Sequence, residues 1–183
     1  MLRIDYRQLF QKMHPGFFEK PNIRRLPADR VLDEMVLSLE DYAPDRFPVK
    51  DPPGIRYDLF HGNRDMLLDA VGSVDETWVP IYREENSAFC AFMDERPVSF
   101  CIVEPMGVFD SVKVGGPGCV GTVPAFRKKG IGLRMVQLVT GILKSEGYDL
   151  SYIHFTGVPD WYAKLGYQTV LRWNSQGILE NAI

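Results

Sequence analysis

The run Pro124-Ala125-Phe126-Arg127-Lys128-Lys129-Gly130-Ile131-Gly132 is where this sequence concentrates its chemical capacity. Gly130 and Gly132 permit a tight turn and a close approach of backbone to a ligand, and an amphipathic, helix-spaced stretch follows them. The first N–H groups of a helix starting there have no intrahelical acceptors and point outward at the positive end of its dipole. Arg127, Lys128 and Lys129 add three cations at the same place. The combination suits an anion, and a diphosphate in particular. A solvated basic turn would use the same residue types, and an Arg-x-x-Gly-x-Gly/Ala string arises by chance in on the order of one chain in ten of this length. Placement raises the segment above chance, because it lies between a strand-like Cys119-Val120-Gly121-Thr122-Val123 and a long helix. It has neither the G-x-x-x-x-G-K-[ST] nor the G-x-G-x-x-G spacing, which speaks against nucleotide hydrolysis and dinucleotide binding.

Other chemistries are disfavoured by what the chain lacks. Cys90, Cys101 and Cys119 lie far apart, with no paired C-x-x-C and no His at ligand spacing, so neither a metal site nor a disulfide framework is expected. A reducing cytosol is the compartment that fits. Across 183 residues, 21 Lys and Arg stand against 24 Asp and Glu, giving a net charge of -3, so nothing neutralises a nucleic-acid backbone. No window approaches the roughly 18 apolar residues of a membrane span, and neither nucleic acid nor membrane is an expected partner.

The elements that must position the glycine turn follow from pattern. Residues 1–54 read as a helical extension with two helical patterns separated by Pro15-Gly16 and Pro21; within it Val31, Met35, Leu37 and Leu39 fall near helical spacing, with Asp33, Glu34 and Glu40 as the polar side. The second part, 55–183, opens with a strand at Ile55–Phe60 and helices over Asp65–Val71 and around Asp75–Tyr82. Ala88–Phe92 and Val98–Val103 are aromatic-rich runs joined across Asp94-Glu95-Arg96-Pro97, the pattern of a hairpin. Gly115-Gly116-Pro117 reads as a breaker before the strand ending at Val123. Leu133, Val136, Val139 and Leu143 mark one face of a helix that stops at Gly147. A strand at Leu150–Phe155, a short helix at Asp160–Lys164 closed by Gly166, and a last strand at Tyr167–Trp173 complete the reading.

Two segments then resemble the GNAT superfamily of acyl-CoA-dependent N-acyltransferases. Val120 to Gly132 is similar to the pyrophosphate-binding motif of that family, and Trp161-Tyr162-Ala163-Lys164-Leu165-Gly166-Tyr167 to its Phe-Tyr-x-Lys-Leu-Gly-Phe segment. They occur in the family's order, separated by the helix and strand its fold requires. The resemblance runs from 55 to about 175 and leaves 1–54 unexplained. It implies an α/β fold with a mixed, mostly antiparallel sheet flanked by helices and splayed open beside the Val120 strand.

The same resemblance implies an enzyme that moves the acetyl group of acetyl-CoA to a primary amine by direct attack in a ternary complex. Val120, Gly121 and Thr122 would face the pantetheine arm, with Arg127, Lys128, Lys129, Gly130, Ile131, Gly132 and Leu133 around the diphosphate. Gly121 in a strand suggests a bulge or a close approach, and a bulge there would free an N–H for the acyl oxyanion. Tyr162 falls where the family keeps a tyrosine facing the CoA sulfur. His154 lies near where some relatives carry a catalytic Glu, and an imidazole's ordinary value of about 6.5 suits a base near neutrality. Glu104 is a second candidate base. Cys119 is the sole cysteine near enough to the expected acyl carbon to suggest a covalent acyl-enzyme, the minor route. Phe10, Phe17 and Phe18 are candidates for a wall over the acceptor side. A silent acyl-CoA sensor and a scaffold whose basic turn binds another anion remain open, as do the identity of the amine and a homodimer.

Overall fold

In the computed structural model, which describes residues 4–84 and 87–182, two helices come first. Asp5 caps α1 (Tyr6–Met13) by accepting from the Gln8 N–H at 3.0 Å, and Leu9 and Phe10 are its buried residues. A 3-10 turn at Phe17–Glu19 leads to the single turn of α2 (Pro21–Arg24). The next segment departs from its helical pattern, for Leu32–Ser38 is strand β1. Leu32, Asp33, Glu34, Met35 and Val36 are all buried. The two carboxylates that resemble the wet side of a helix are instead inside the protein, satisfied by Arg172 and Trp173 from far along the chain. A strand covered on both faces buries every residue, and its alternation disappears.

β2 (Arg56–Leu59), β3 (Ala88–Met93), β4 (Arg96–Phe109) and β5 (Val112–Thr122) form an antiparallel run. Between β2 and β3 lie α3 (Arg64–Gly72), capped by Asn63, and α4 (Val79–Glu84). After β5 come α5 (Ile131–Ser145), β6 (Leu150–Thr156), α6 (Pro159–Ala163), β7 (Gln168–Asn174) and β8 (Gly177–Asn181), the last not foreseen from sequence. The eight strands run in the order β2-β3-β4-β5-β6-β1-β7-β8, with β5 and β6 the parallel pair. β1 therefore sits between β6 and β7, and the sheet runs across the expected division at residues 54 and 55. Gly115-Gly116-Pro117 is not a breaker either, since β5 passes straight through it. A Cβ on Gly116 would stand 1.9 Å from the Tyr152 carbonyl oxygen, and one on Gly115 would stand 2.7 Å from the Tyr148 ring. These glycines are where β6 and its preceding turn come closest.

Alternation along the strands divides the core into two layers. Ala88, Cys90 and Phe92 of β3 pack with Leu67, Val71 and Tyr82 of α3 and α4, whereas Phe89 joins Met135, Val139 and Leu143 of α5. On the first of these faces, α1 covers Val114, Leu150, Tyr152 and Trp173. Phe10 and Phe17 are part of that core, the Phe17 ring lying 4.9 Å from the Trp173 ring. β5 and β6 pair at Val114–Leu150 and Gly115–Ser151 and then separate. Beyond that point β6 bonds to β1 and β5 to β4, which opens a gap in mid-sheet. Among the described residues no helix is long and apolar enough to cross a membrane.

Candidate functional site

A cleft of about 350 Å³ occupies this gap. Its lining comes from both faces of the sheet: Val74 follows α3 on one, while Trp161 and Tyr162 belong to α6 on the other. Nine of the ten residues singled out for the cofactor line it, namely Val120, Gly121, Thr122, Arg127, Lys128, Gly130, Ile131, Gly132 and Leu133. Lys129 does not, its ammonium lying 5.0 Å from the Phe126 ring centre.

Backbone geometry at the basic turn is that of an anion cradle. Lys128 and Gly130 both have left-handed φ, +63° and +80°, separated by a single residue. Alternation of this kind turns successive N–H groups to one side, and α5 begins with no side-chain cap on its own N–H groups. A Cβ at Gly130 would meet nothing within 4 Å, so that position faces open space. One at Gly132 would stand 2.8 Å from Thr122 Oγ1, which ties the first turn of α5 to the end of β5. Arg127 Nε donates to the Thr122 carbonyl at 3.0 Å, bending the guanidinium back over the cleft mouth.

The irregularity expected at Gly121 lies two residues earlier, at Cys119. Phe100 pairs with Gly121 and Ile102 with Gly118, so β5 carries one residue more than β4 between them. Cys119, at φ +45°, marks that bulge, and its carbonyl accepts from Tyr82 Oη at 2.8 Å. Gly121 has a different reason to be glycine: a Cβ there would stand 2.4 Å from the Phe100 ring. The Phe100 ring in turn meets Tyr82 edge-on at 5.2 Å.

Tyr162 is largely buried, with its ring in a cluster that includes Met35, Val136, Ile153, Leu165 and Tyr167. Burial first, then Tyr167, Cys101 and Cys119, push its phenol upward, so the group stays protonated and can donate. Among the described residues its hydroxyl has no hydrogen-bond partner, and the residue lines the cleft.

His154 is not gathered with the others. It projects from β6 toward α1, where its Nδ1 lies 2.9 and 3.0 Å from the two oxygens of Glu34 and its ring stacks at 4.1 Å on His14. Glu104 is on that same face, with Oε2 close above Gly118, 2.7 Å from where a Cβ would be. The Cys119 thiol is pushed up to about 11 by burial and by the carboxylates of Glu104 and Asp75. Val74, Phe126, Val158 and Trp161 also line the cleft and were not singled out for the site. Phe126 and Trp161 stand inside the two quoted motifs, so a signal for them was present; Val74 and Val158 carry none. Among the described residues no cluster of His, Cys, Asp and Glu is placed to hold a metal ion.

The chain matches the model of the Acetyltransferase (GNAT) family over residues 54–167. Among solved structures it is similar to a GCN5-related glucosamine N-acetyltransferase region of a fungal multi-domain GH3 beta-N-acetylglucosaminidase. That match has 19% identity and a TM-score of 0.67, over 82% of this chain and 20% of that one. A GCN5-related N-acetyltransferase from Sphaerobacter thermophilus matches at 18% identity and TM-score 0.63, over 92% of this chain and 54% of that one. Another from Kribbella flavida matches at 18% and 0.52, over 87% and 62%. The chain thus spans between a fifth and about three-fifths of these proteins. No curated protein matches the sequence at a significant level.

Proposed function

Because the chain belongs to the GNAT acetyltransferase family, we propose that it transfers the acetyl group of acetyl-CoA to a primary amine by direct attack within a ternary complex. The observation that carries this reading is the convergence of three features on one cleft. They are the cradle at Lys128 and Gly130, the uncapped start of α5, and the Tyr162 hydroxyl. The diphosphate of acetyl-CoA suits the first two, with Arg127 and Lys128 supplying charge. Its pantetheine arm would run along Val120–Thr122, which has no strand partner on the β6 side. That path leads the thioester toward the Cys119 bulge, where irregular pairing leaves backbone N–H available to a developing oxyanion.

In this scheme the amine nitrogen attacks the thioester carbon, the C–N bond forms, and the tetrahedral intermediate collapses with rupture of the C–S bond. Tyr162 donates a hydrogen bond to the departing sulfur. The proton leaving nitrogen would pass to a base on the face of α1 and α3, the face that carries His154 and Glu104. A thiol held up to about 11 is a poor nucleophile at neutral pH, which supports direct attack over an acyl-Cys119 route.

Calorimetry with acetyl-CoA on Gly130→Asp tests the reading. A Cβ there meets no neighbour, and Asp is among the residues that best accept left-handed φ, so the variant should fold at a modest cost in backbone strain, which a thermal melt checks, while its carboxylate stands in the anion cradle. Affinity should fall at least tenfold, and unchanged affinity would remove the cofactor assignment. Thiol release on a panel of alkyl, arylalkyl, amino-sugar and peptide amines then identifies the acceptor class.

A further inference from the structure

Glu34 is a fully buried carboxylate in mid-sheet, outside the residues matched by the family model. Donors reach it from three directions. Trp173 Nε1–H lies 2.7 Å from Oε1, the Phe155 N–H 3.2 Å from the same oxygen, and His154 Nδ1 within 3.0 Å of both oxygens. The Phe155 N–H is available because β6 bulges there. Pairing jumps from Met35–Ile153 to Asp33–Thr156, and Phe155 adopts φ +60°. Burying a carboxylate is costly, and an apolar side chain of similar size would stabilise a sheet interior as well or better. What such an arrangement can do is fix the imidazole. With Nδ1–H committed to Glu34, the ring plane is held by His14 stacked at 4.1 Å and by Phe17 edge-on at 5.3 Å. Nε2 is then the nitrogen with a free lone pair, on a side chain that retains 27% of its exposure.

Its position relative to the gap follows from register. Val114 of β5 pairs with Leu150 of β6. Four residues further along each strand stand Gly118 and His154, on the same face and immediately before the Cys119 bulge. The titratable groups facing the imidazole or its carboxylate are Glu34 from β1, Tyr152 from β6 and His14 after α1, with Lys20 behind His14. Burial chiefly, with His154 and Lys20, lowers His14 to about 4, so it is uncharged near neutrality.

We propose that Glu34 is the positioning residue for the proton transfer of this acyltransferase, holding His154 so that Nε2 faces the attacking amine. The inference rests on the reading of His154 as the base in the proposed acetyl transfer. As the C–N bond forms, the N–H electron pair stays on nitrogen and its proton moves to Nε2. The resulting imidazolium is balanced by the Glu34 carboxylate and returns the proton to water when product leaves.

The tautomer can be read directly, with no substrate present, by 15N NMR of ring-labelled histidine at neutral pH. His154 should carry its proton on Nδ1 in the native chain, and a proton on Nε2 would overturn the proposal. Glu34→Gln keeps an oxygen for Trp173 and Phe155 but turns an N–H toward Nδ1, so the tautomer should reverse. With the best amine from the panel, kcat should fall roughly 100-fold while acetyl-CoA affinity is retained. In a His154→Ala background the same change should have no further effect on kcat. Losses that multiply in the double variant, or a folded Glu34→Gln with native kcat, would refute a role through His154. Native kcat in His154→Ala alone would instead sink the base assignment itself, and this proposal with it.

Discussion

Replacing Tyr162 with Phe removes one oxygen and leaves the ring among Met35, Val136, Ile153, Leu165 and Tyr167. Since the hydroxyl bonds to no described protein group, folding stability should change by less than about 0.5 kcal/mol, or roughly 1–2 °C in melting temperature for a chain of this size. Turnover should respond much more. A hydrogen bond to a charged partner contributes about 1.5–3 kcal/mol, which at 1.4 kcal/mol per tenfold is about 10- to 150-fold in kcat. The enclosed position of the phenol favours the upper part of that range, about 100-fold. Full proton transfer is not required: phenol and thiol ordinarily differ by about 1.5 units, already about 2 kcal/mol uphill, and burial raises the phenol further. The assay is thiol release at saturating acetyl-CoA, with calorimetric affinity and thermal melts on the same preparations. A variant with unchanged kcat would make Tyr162 a packing residue. One that lost acetyl-CoA affinity in proportion to kcat would show that the hydroxyl binds the ground state and not the departing sulfur.

Other expectations rest on separate features of the fold. Gly121→Ala should destabilise by about 1–3 kcal/mol through the 2.4 Å approach to Phe100, and adding Phe100→Leu should recover part of the loss; additive urea-denaturation energies would refute the steric link. His14 is lowered to about 4 in the folded chain against an ordinary 6.5, so between those values the unfolded chain binds a proton that the folded one refuses. Stability should therefore drop as pH falls from 6.5 toward 4, and His14→Phe should flatten that part of a urea-midpoint profile; an unaltered slope would place the cause elsewhere. A truncation beginning at Pro53 removes β1 from between β6 and β7 and should yield no cooperative melt, whereas a folded product would mean that the remaining strands close without it.

What could be read from the sequence was mainly what local chemistry determines. The basic turn, the start of α5 and its stop at Gly147 follow from residues adjacent in the chain, and β3, α5, β6, α6 and β7 lie close to their expected spans, whereas β4 runs six residues past Val103 and β5 begins before the expected breaker. β1 was illegible because the partners that tolerate Asp33 and Glu34 in the interior, Arg172 and Trp173, are about 139 residues away. Without them, two carboxylates among Leu32, Met35 and Val36 resemble a half-wet helix. Gly115 and Gly116 misled for the same reason, since Tyr148 and Tyr152 are what demand them. β8 is a five-residue edge whose single neighbour, β7, supplies its pairing. At the site, the residues around the cleft belong to the two motifs or to their flanks, Val74 after α3 excepted. Glu34 and His14 meet His154 through tertiary structure alone, and no spacing in the sequence announces them.

The central place of β1 also governs the order in which this molecule can be completed. The cleft is assembled from residues 74–162, so most of its contacts close over modest stretches of chain. The Glu34 cluster instead joins positions 120 to 139 residues apart, and its donor Trp173 follows every residue of the cleft in the chain. Loop closure over such distances is entropically late. A nascent chain that has emerged only through α6 holds the segments of the cofactor cleft while β1 still waits for β7. Until then Leu32, Met35 and Val36 stay without one of their two flanking strands, so the interval between α6 and β7 is when this chain is most exposed to wrong pairing.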